Sequence, residues 1–287
     1  MSVKTKEKPV TVKTFIKYKQ TKQKITMLTA YDYSTAKYLD ESGIDSILVG
    51  DSLGMTALGY DNTLNVTMEE MKIFTKAVSR GVKKALVVAD MPFMSYHVSK
   101  EQAIANAGEL IKSGAQAVKI EGANDFILDI VKHLSQCGIS VIGHLGFTPQ
   151  YINSLGGYFV QGKSYENSLQ LLDDAKKLEE AGAFSIVLEM VPEETARLIT
   201  ENLSIPTIGI GAGRYCDGQV LVIDDLIGKY SDFTPKFAKK YADIKSIIFE
   251  SSKNYIDEIK NNKFPQQEHV FNLTQEEREK LEQHFNK

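Results

Sequence analysis

Eight short apolar runs that alternate with amphipathic helical stretches predict an α/β fold, a (β/α)8 TIM barrel with extra C-terminal helices. A second observation concerns the turn after the first run. An open doubly wound sheet would carry a Gly-x-Gly-x-x-Gly turn there, and Ala30-Tyr31-Asp32-Tyr33 is nothing like one. A third is that acidic residues recur where apolar runs end, the place where a barrel gathers its chemistry.

The runs lie at 26–30, 46–50, 85–89, 117–120, 140–143, 185–188, 207–210 and, less distinctly, 220–223. Four or five apolar, β-branched-rich residues read as a strand buried on both faces, as in a parallel sheet. Helical periodicity fills the gaps at 33–41, 68–80, 100–113, 125–136, 168–181 and 193–202. Gly43, Gly114, Gly138 and Gly182 stand just past helices, where a left-handed cap is expected. Glu41-Ser42-Gly43-Ile44-Asp45, Lys112-Ser113-Gly114-Ala115-Gln116 and Glu180-Ala181-Gly182-Ala183-Phe184 repeat one device that closes a helix and feeds a strand.

This pattern divides the chain into three segments: a basic leader with a short helix at 1–24, the barrel at 25–233, and C-terminal helices and tail at 234–287 packed on the barrel as part of a single domain. Phe237, Tyr241, Ile244, Ile247, Ile248, Tyr255 and Ile259 would anchor those helices outside the barrel or at a subunit contact. Residues 272–287 are charged and expected to fray.

A chain of 287 residues with 43% hydrophobic and 25% charged residues can bury a large core and is ordinary for a soluble enzyme. The net charge of −3 leaves no electrostatic footprint for nucleic acid. No apolar run approaches a membrane span, and the N-terminus lacks the apolar core of a signal peptide. Cys137 and Cys216 lie far apart and outside any metal-ligand spacing, which fits a reducing cytoplasm. Lys4, Lys6, Lys8, Lys13, Lys17, Lys19, Lys22 and Lys24 face a single Glu7, and no Arg marks a transit peptide. We read a solvated leader and a short helix rather than an arm for an anionic partner.

Three runs end in carboxylates: Asp51, Asp90 and Glu121. Like charges gathered at one point call for a cation. Oxygen-only ligands, with no Cys or His nearby, favour Mg²⁺ over Zn²⁺. Three carboxylates and one Mg²⁺ leave one negative charge, and a 2-oxo acid substrate would add another. A further cation is therefore required. Lys119 lies two residues before Glu121, on the same face of its strand.

Glu189 ends the run Ser185-Ile186-Val187-Leu188. Among apolar neighbours its pKa would rise, as suits a general base, while an acid capping the helix at 193 is the plainer reading. His144 falls on the same active face, as a structural group or a substrate hydrogen-bond partner. Ser52 can offer its hydroxyl and N–H to a substrate carboxylate. Gly209-Ile210-Gly211-Ala212-Gly213-Arg214 reads either as an anion cradle or as a tight turn that needs positive φ. Phe147-Thr148-Pro149-Gln150 and Gly156-Gly157-Tyr158 form a long connection suited to a lid or a subunit contact.

From about Thr11 to His269 the chain resembles the ketopantoate hydroxymethyltransferase family. The resemblance rests on Lys24-Ile25-Thr26-Met27-Leu28-Thr29-Ala30-Tyr31-Asp32, Val49-Gly50-Asp51-Ser52-Leu53-Gly54, Ala89-Asp90-Met91-Pro92-Phe93-Met94 and Val118-Lys119-Ile120-Glu121-Gly122. It continues through Gly143-His144-Leu145-Gly146-Phe147-Thr148-Pro149-Gln150, Gly156-Gly157-Tyr158-Phe159-Val160-Gln161-Gly162 and Ile208-Gly209-Ile210-Gly211-Ala212-Gly213.

The resemblance implies a barrel that forms a homo-oligomer, often a decamer. It implies transfer of a hydroxymethyl group from 5,10-methylenetetrahydrofolate to 3-methyl-2-oxobutanoate, giving 2-dehydropantoate on the way to pantothenate. It implies Mg²⁺ at Asp51, Asp90 and Glu121, oxo-acid contacts from Asp51, Ser52, Asp90 and Lys119, and Glu189 as proton acceptor. Met190 stands where many members are expected to have Cys. Tyr96-His97-Val98 and residues 229–233 look variable and carry no expectation. The alternative is a related Mg²⁺-dependent barrel lyase or mutase acting on a 2-oxo acid, though its Lys-Lys-Cys-Gly-His loop is missing.

Overall fold

A computed structural model describes residues 8–230 and 235–285. Lys4, Lys6 and Glu7 of the leader, most of the 229–233 loop, and the last two residues lie outside the described residues. Eight parallel strands close into a barrel in chain order: β1 Ile25–Thr29, β2 Ser46–Val49, β3 Leu86–Asp90, β4 Ala117–Glu121, β5 Ser140–Gly146, β6 Ser185–Glu189, β7 Thr207–Ile210 and β8 Gly218–Leu221. Helix α1 (Val12–Thr21) precedes them. Between strands run α2 (Tyr33–Ser42), α3 (Leu53–Thr56), α4 (Met68–Gly81), α5 (Lys100–Lys112), α6 (Asp125–Gln136), α7 (Ile152–Leu155), α8 (Tyr165–Ala181) and α9 (Glu193–Asn202). After β8 come α10 (Ile223–Leu226), α11 (Ile244–Lys260) and α12 (Gln275–Phe285).

The predicted barrel is the observed one, and the differences lie at element ends. β3, β4 and β6 each run one residue further than their apolar patterns, through Asp90, Glu121 and Glu189. β5 continues to Gly146 because His144, Leu145 and Gly146 pair with Val187, Leu188 and Glu189 of β6. A polar histidine between glycines hides that pairing from any local pattern. β8 begins at Gly218, two residues earlier than expected, in register with Ile25 of β1. Gly43, Gly114, Gly138 and Gly182 all have positive φ, as caps at helix ends require.

Side chains alternate between two cores. Ile47, Val49, Val87, Ala89, Val118 and Ile120 point outward to the helix layer. Leu48, Leu86, Val88, Ala117, Ile142, Val187, Ile208 and Val220 fill the barrel interior. Helix α1 closes the N-terminal end. Thr11 and Thr14 form its capping box, and the fully buried Phe15 meets Phe184 edge-on at 5.7 Å. Two leader lysines are structural: Lys19 pairs with Asp217 at 2.9 Å, and Lys24 Nζ donates to the Cys216 carbonyl at 2.5 Å.

Backbone bonds tie the start of α11 to α10, from Tyr241 N–H to the Leu226 carbonyl and from Ile244 N–H to the Ile227 carbonyl. Yet α11 buries none of its side chains in the single chain, and Ile247, Ile248, Tyr255 and Ile256 are each at least half exposed. Of the anchors that the sequence marked, Ile247, Ile248, Tyr255 and Ile259 therefore form an open apolar face on α11, whereas Phe237 is part-buried beside Gly211. No helix among the described residues is long and apolar enough to cross a membrane. Cys137 is exposed and Cys216 buried, and both are free thiols.

Candidate active site

The inward-facing side chains change character along each strand. Leu86 and Val88 give way to Asp90, Ala117 to Lys119 and Glu121, Ile142 to His144, and Val187 to Glu189. Apolar residues fill the middle of the barrel, and polar ones crowd its C-terminal mouth. Parallel register places Asp90 opposite Lys119 and Glu121 opposite His144. Asp51 arrives by another route, in the turn between β2 and α3, where its N–H donates to Asp90 Oδ2 at 3.0 Å. A Cβ on Gly50 would stand 2.9 Å from Ser52 Oγ, so a larger residue here would displace the serine hydroxyl.

Asp51, Asp90, Lys119, Glu121 and His144 are all buried. The Lys119 ammonium is 3.1 Å from Asp90 Oδ1 and 3.7 Å from Glu121 Oε1. Burial opposes its charge, but the surrounding carboxylates outweigh that and raise its pKa. Burial also pushes Asp51 well above the usual carboxylate range, reinforced by the negative charges of Asp90 and Glu121. Asp90 is raised chiefly by burial, against the pull of Lys119 and the Asp51 N–H. Glu121 behaves oppositely: burial is overcome by His144, Lys119 and the Gln150 N–H, and its pKa falls.

His144 joins two carboxylates. Its Nδ1 lies 3.2 Å from Glu121 Oε1, and its Nε2 lies 3.3 Å from Glu189 Oε2. Burial and the Lys119 charge oppose the imidazolium, but Glu121 and Glu189 prevail and raise the pKa to about 9. Lys119 Nζ lies 3.2 Å from the same Nδ1, so that nitrogen is shared between Glu121 and Lys119, while Nε2 faces Glu189. Glu189 is thus not isolated among apolar groups, as its sequence neighbours had implied. It is not a helix cap either, since the N-cap of α9 is Pro192.

Two site residues escaped the sequence reading. Gln150 Nε2 donates to Asp51 Oδ2 at 2.8 Å, and its backbone N–H donates to Glu121 Oε2 at 3.0 Å. Tyr96, in a stretch that looked merely variable, is fully buried and donates its hydroxyl proton to Gln150 Oε1 at 2.7 Å. The phrase ending in Gln150, directly after a strand end, was the available signal. Ser52 Oγ is 2.9 Å from the Tyr31 hydroxyl, so the serine is held in place. In the glycine-rich segment Gly211 and Gly213 have positive φ and press against Phe237 and Glu193. That geometry is the tight turn, and a carboxylate beside it does not favour an anion. Of the long connection, Phe147 is buried and its ring lies 5.0 Å from that of the half-exposed Tyr158.

The donor set limits how a cation could be held. Among the described residues no three acidic, histidine or cysteine side chains form a ready cluster for a metal ion. Both oxygens of Glu121 are engaged, by His144 and by Gln150. Asp90 Oδ1 is buried, close to Lys119 but without a hydrogen bond, and of the Asp51 oxygens only Oδ2 accepts one among the described residues. Two hard carboxylate oxygens are left over, which fits Mg²⁺, an ion that takes one or two carboxylates and fills its remaining positions with water and substrate.

A closed parallel barrel with acids, a lysine and a histidine buried at the C-terminal ends of its strands defines an α/β-barrel enzyme. The chain belongs to the ketopantoate hydroxymethyltransferase family, whose model matches residues 9–267. It is 54% identical over 272 residues to 3-methyl-2-oxobutanoate hydroxymethyltransferase of Clostridium beijerinckii, covering 94% of this chain and 98% of that protein. The enzyme of the same name from Clostridium novyi is 56% identical over 272 residues, with the same coverage. Two solved structures share the fold at low identity. One is phosphonopyruvate hydrolase in complex with oxalate and Mg²⁺ (TM-score 0.60, 9% identity, 96% of each chain). The other is 2,3-dimethylmalate lyase (TM-score 0.59, 16% identity, 90% of this chain and 91% of that one).

Proposed function

We propose that this enzyme transfers a hydroxymethyl group from 5,10-methylenetetrahydrofolate to 3-methyl-2-oxobutanoate, forming 2-dehydropantoate for pantothenate synthesis in the cytoplasm. Asp51 and Asp90 would hold Mg²⁺ directly, with Glu121 acting through water. When bound, the ion supplies Lewis-acid stabilisation for negative charge developing on the 2-oxo oxygen, an effect worth several kcal/mol. Lys119 and the Tyr31-held Ser52 receive the substrate carboxylate. Glu189 takes the proton from C3, and His144 holds its carboxylate in place from the Nε2 side. The carbanion formed at C3 attacks the methylene carbon of the folate, the two carbon–nitrogen bonds of that carbon break in turn, water supplies the hydroxyl group and tetrahydrofolate leaves.

The charge balance of the buried cluster supports this reading, beside the family. Four carboxylates, Asp51, Asp90, Glu121 and Glu189, stand with Lys119 and His144, and even with His144 protonated the cluster carries two net negative charges. One divalent ion brings it to zero. The open apolar face of α11 supports a homo-oligomer, as the resemblance implies.

Turnover of 3-methyl-2-oxobutanoate with methylenetetrahydrofolate, measured with and without chelator, tests the reading. We expect product only with the folate and a divalent ion. We also expect Asp90→Ala to lose that metal-dependent turnover while keeping its fold. Undiminished activity of Asp90→Ala in chelator rules out the metal assignment.

A further inference from the structure

Gln150 makes more hydrogen bonds inside the site than the proposed reaction asks of it. It stands on the short 3₁₀ turn Pro149–Tyr151 after β5 and is only 4% exposed. Both amide protons are used, one on Asp51 Oδ2 at 2.8 Å and one on the Met91 carbonyl at 2.9 Å. Oε1 accepts the Tyr96 hydroxyl proton at 2.7 Å, and that hydroxyl in turn accepts the Glu121 N–H at 3.2 Å. The Gln150 N–H completes the ring on Glu121 Oε2 at 3.0 Å.

The amide can sit only one way round. A flipped amide would set Oε1 against the Asp51 carboxylate and the Met91 carbonyl, two acceptors facing an acceptor. It would also turn Nε2 toward the Tyr96 hydroxyl and take away the acceptor of its proton. Tyr96 thereby selects the orientation in which Gln150 donates to Asp51. Bonds of this kind to a carboxylate are short and roughly twice as strong as neutral ones. The bond occupies Oδ2 of Asp51 and leaves the other oxygen for another partner.

We propose that Gln150, oriented by Tyr96, is a positioning residue of the metal site that clamps Asp51 so that its second oxygen is presented to the cation. The inference rests on the proposed metal site. It gives the loop after β5 a part in cation affinity beyond closing the barrel mouth. Removing partners that orient a metal ligand typically costs about tenfold to a hundredfold in metal affinity. A strut that merely holds the loop would alter stability and leave the affinity alone.

Mn²⁺ binding to the folded, purified enzyme, followed by the loss of the free-ion EPR signal, separates these roles. Gln150→Met keeps the side chain's length and removes its donors. We expect it to bind Mn²⁺ about tenfold or more weakly. Tyr96→Phe should weaken binding by a smaller factor, and the double variant should bind no more weakly than Gln150→Met alone, because the tyrosine acts through the glutamine. Asp51→Asn serves as the control on the site itself. Loss of Mn²⁺ binding in Asp51→Asn with unchanged affinity in both Gln150→Met and Tyr96→Phe overturns the clamp and leaves the metal reading intact. Unchanged affinity in Asp51→Asn overturns both. Thermal melts without metal accompany each variant, so that if Gln150→Met fails to fold, Tyr96→Phe decides the question.

Discussion

Lys119 Nζ lies 3.1 Å from Asp90 Oδ1, and the two residues stand opposite each other on adjacent parallel strands. The pair is buried, so its value depends on both partners staying charged. Removing the lysine leaves the buried Asp90 without its ion-pair partner and weakens the positive charge beside Asp51 and Glu121. We expect Lys119→Met to lose about 3–5 kcal/mol of stability, the usual cost of breaking a buried pair. Added Mg²⁺ should restore part of it, because a ligand that binds only the folded state stabilises that state. Urea denaturation with and without Mg²⁺ measures both effects, and a variant as stable as the parent in chelator contradicts the role given to the lysine.

Glu189 is the proposed base, and its carboxylate faces His144 Nε2 at 3.3 Å. Glu189→Gln keeps the shape and loses the base. It should still bind 3-methyl-2-oxobutanoate while turning over at least about a hundredfold more slowly, the scale of lost acid–base catalysis. Exchange of the C3 proton with solvent, followed by NMR without folate, should slow in parallel. Exchange at the original rate places the base elsewhere.

Phe15 tests the separation of stability from chemistry. It is fully buried at the N-terminal end of the barrel, against Phe184 and away from the acids. Phe15→Ala should cost about 3–5 kcal/mol, as for other buried aromatic truncations. The molecules that remain folded should turn over normally, because the catalytic end is untouched. Turnover and folded fraction measured on the same sample decide it, and a variant that folds fully yet turns over poorly sinks the separation.

Asp225 on α10 gives a pH prediction. Burial and the adjacent Asp224 charge raise its pKa from 3.8 to about 6 in the folded chain. The folded state therefore holds the proton more tightly than the unfolded state. The stability this group contributes is full below pH 3.8 and is lost as pH rises through about 6. Asp225→Asn should be more stable than the parent at neutral pH, with the advantage gone below the unfolded pKa. Urea midpoints across that range check the sign, and an asparagine variant that is less stable at neutral pH refutes it.

Much of the site was legible because strand periodicity is local. Lys119 and Glu121 are two residues apart, so the sequence alone places them on one face, and the structure puts their charges 3.7 Å apart. Apolar runs that stop at acids marked the strand ends, although the strands of Asp90, Glu121 and Glu189 continue through the acid itself. Pattern reading ended them early because a buried charge looks like a boundary when its partners are out of view. The same blindness left Glu189 among apolar neighbours, when its nearest polar contact comes from β5.

By itself the sequence determined the barrel, the helix caps and the faces on which the charged residues stand, since each is set by spacing within a few residues, while the order of its longer phrases carried the resemblance to the family. Tertiary structure decided which of those residues touch. Gln150 meets Asp51 across 99 residues of chain and Tyr96 across 54, and no local pattern encodes such a meeting. Barrel closure brings the strand ends together. Burial there removes water as a hydrogen-bond partner, and so fixes which oxygens of Glu121, Asp51 and Asp90 are engaged and which are left for a cation.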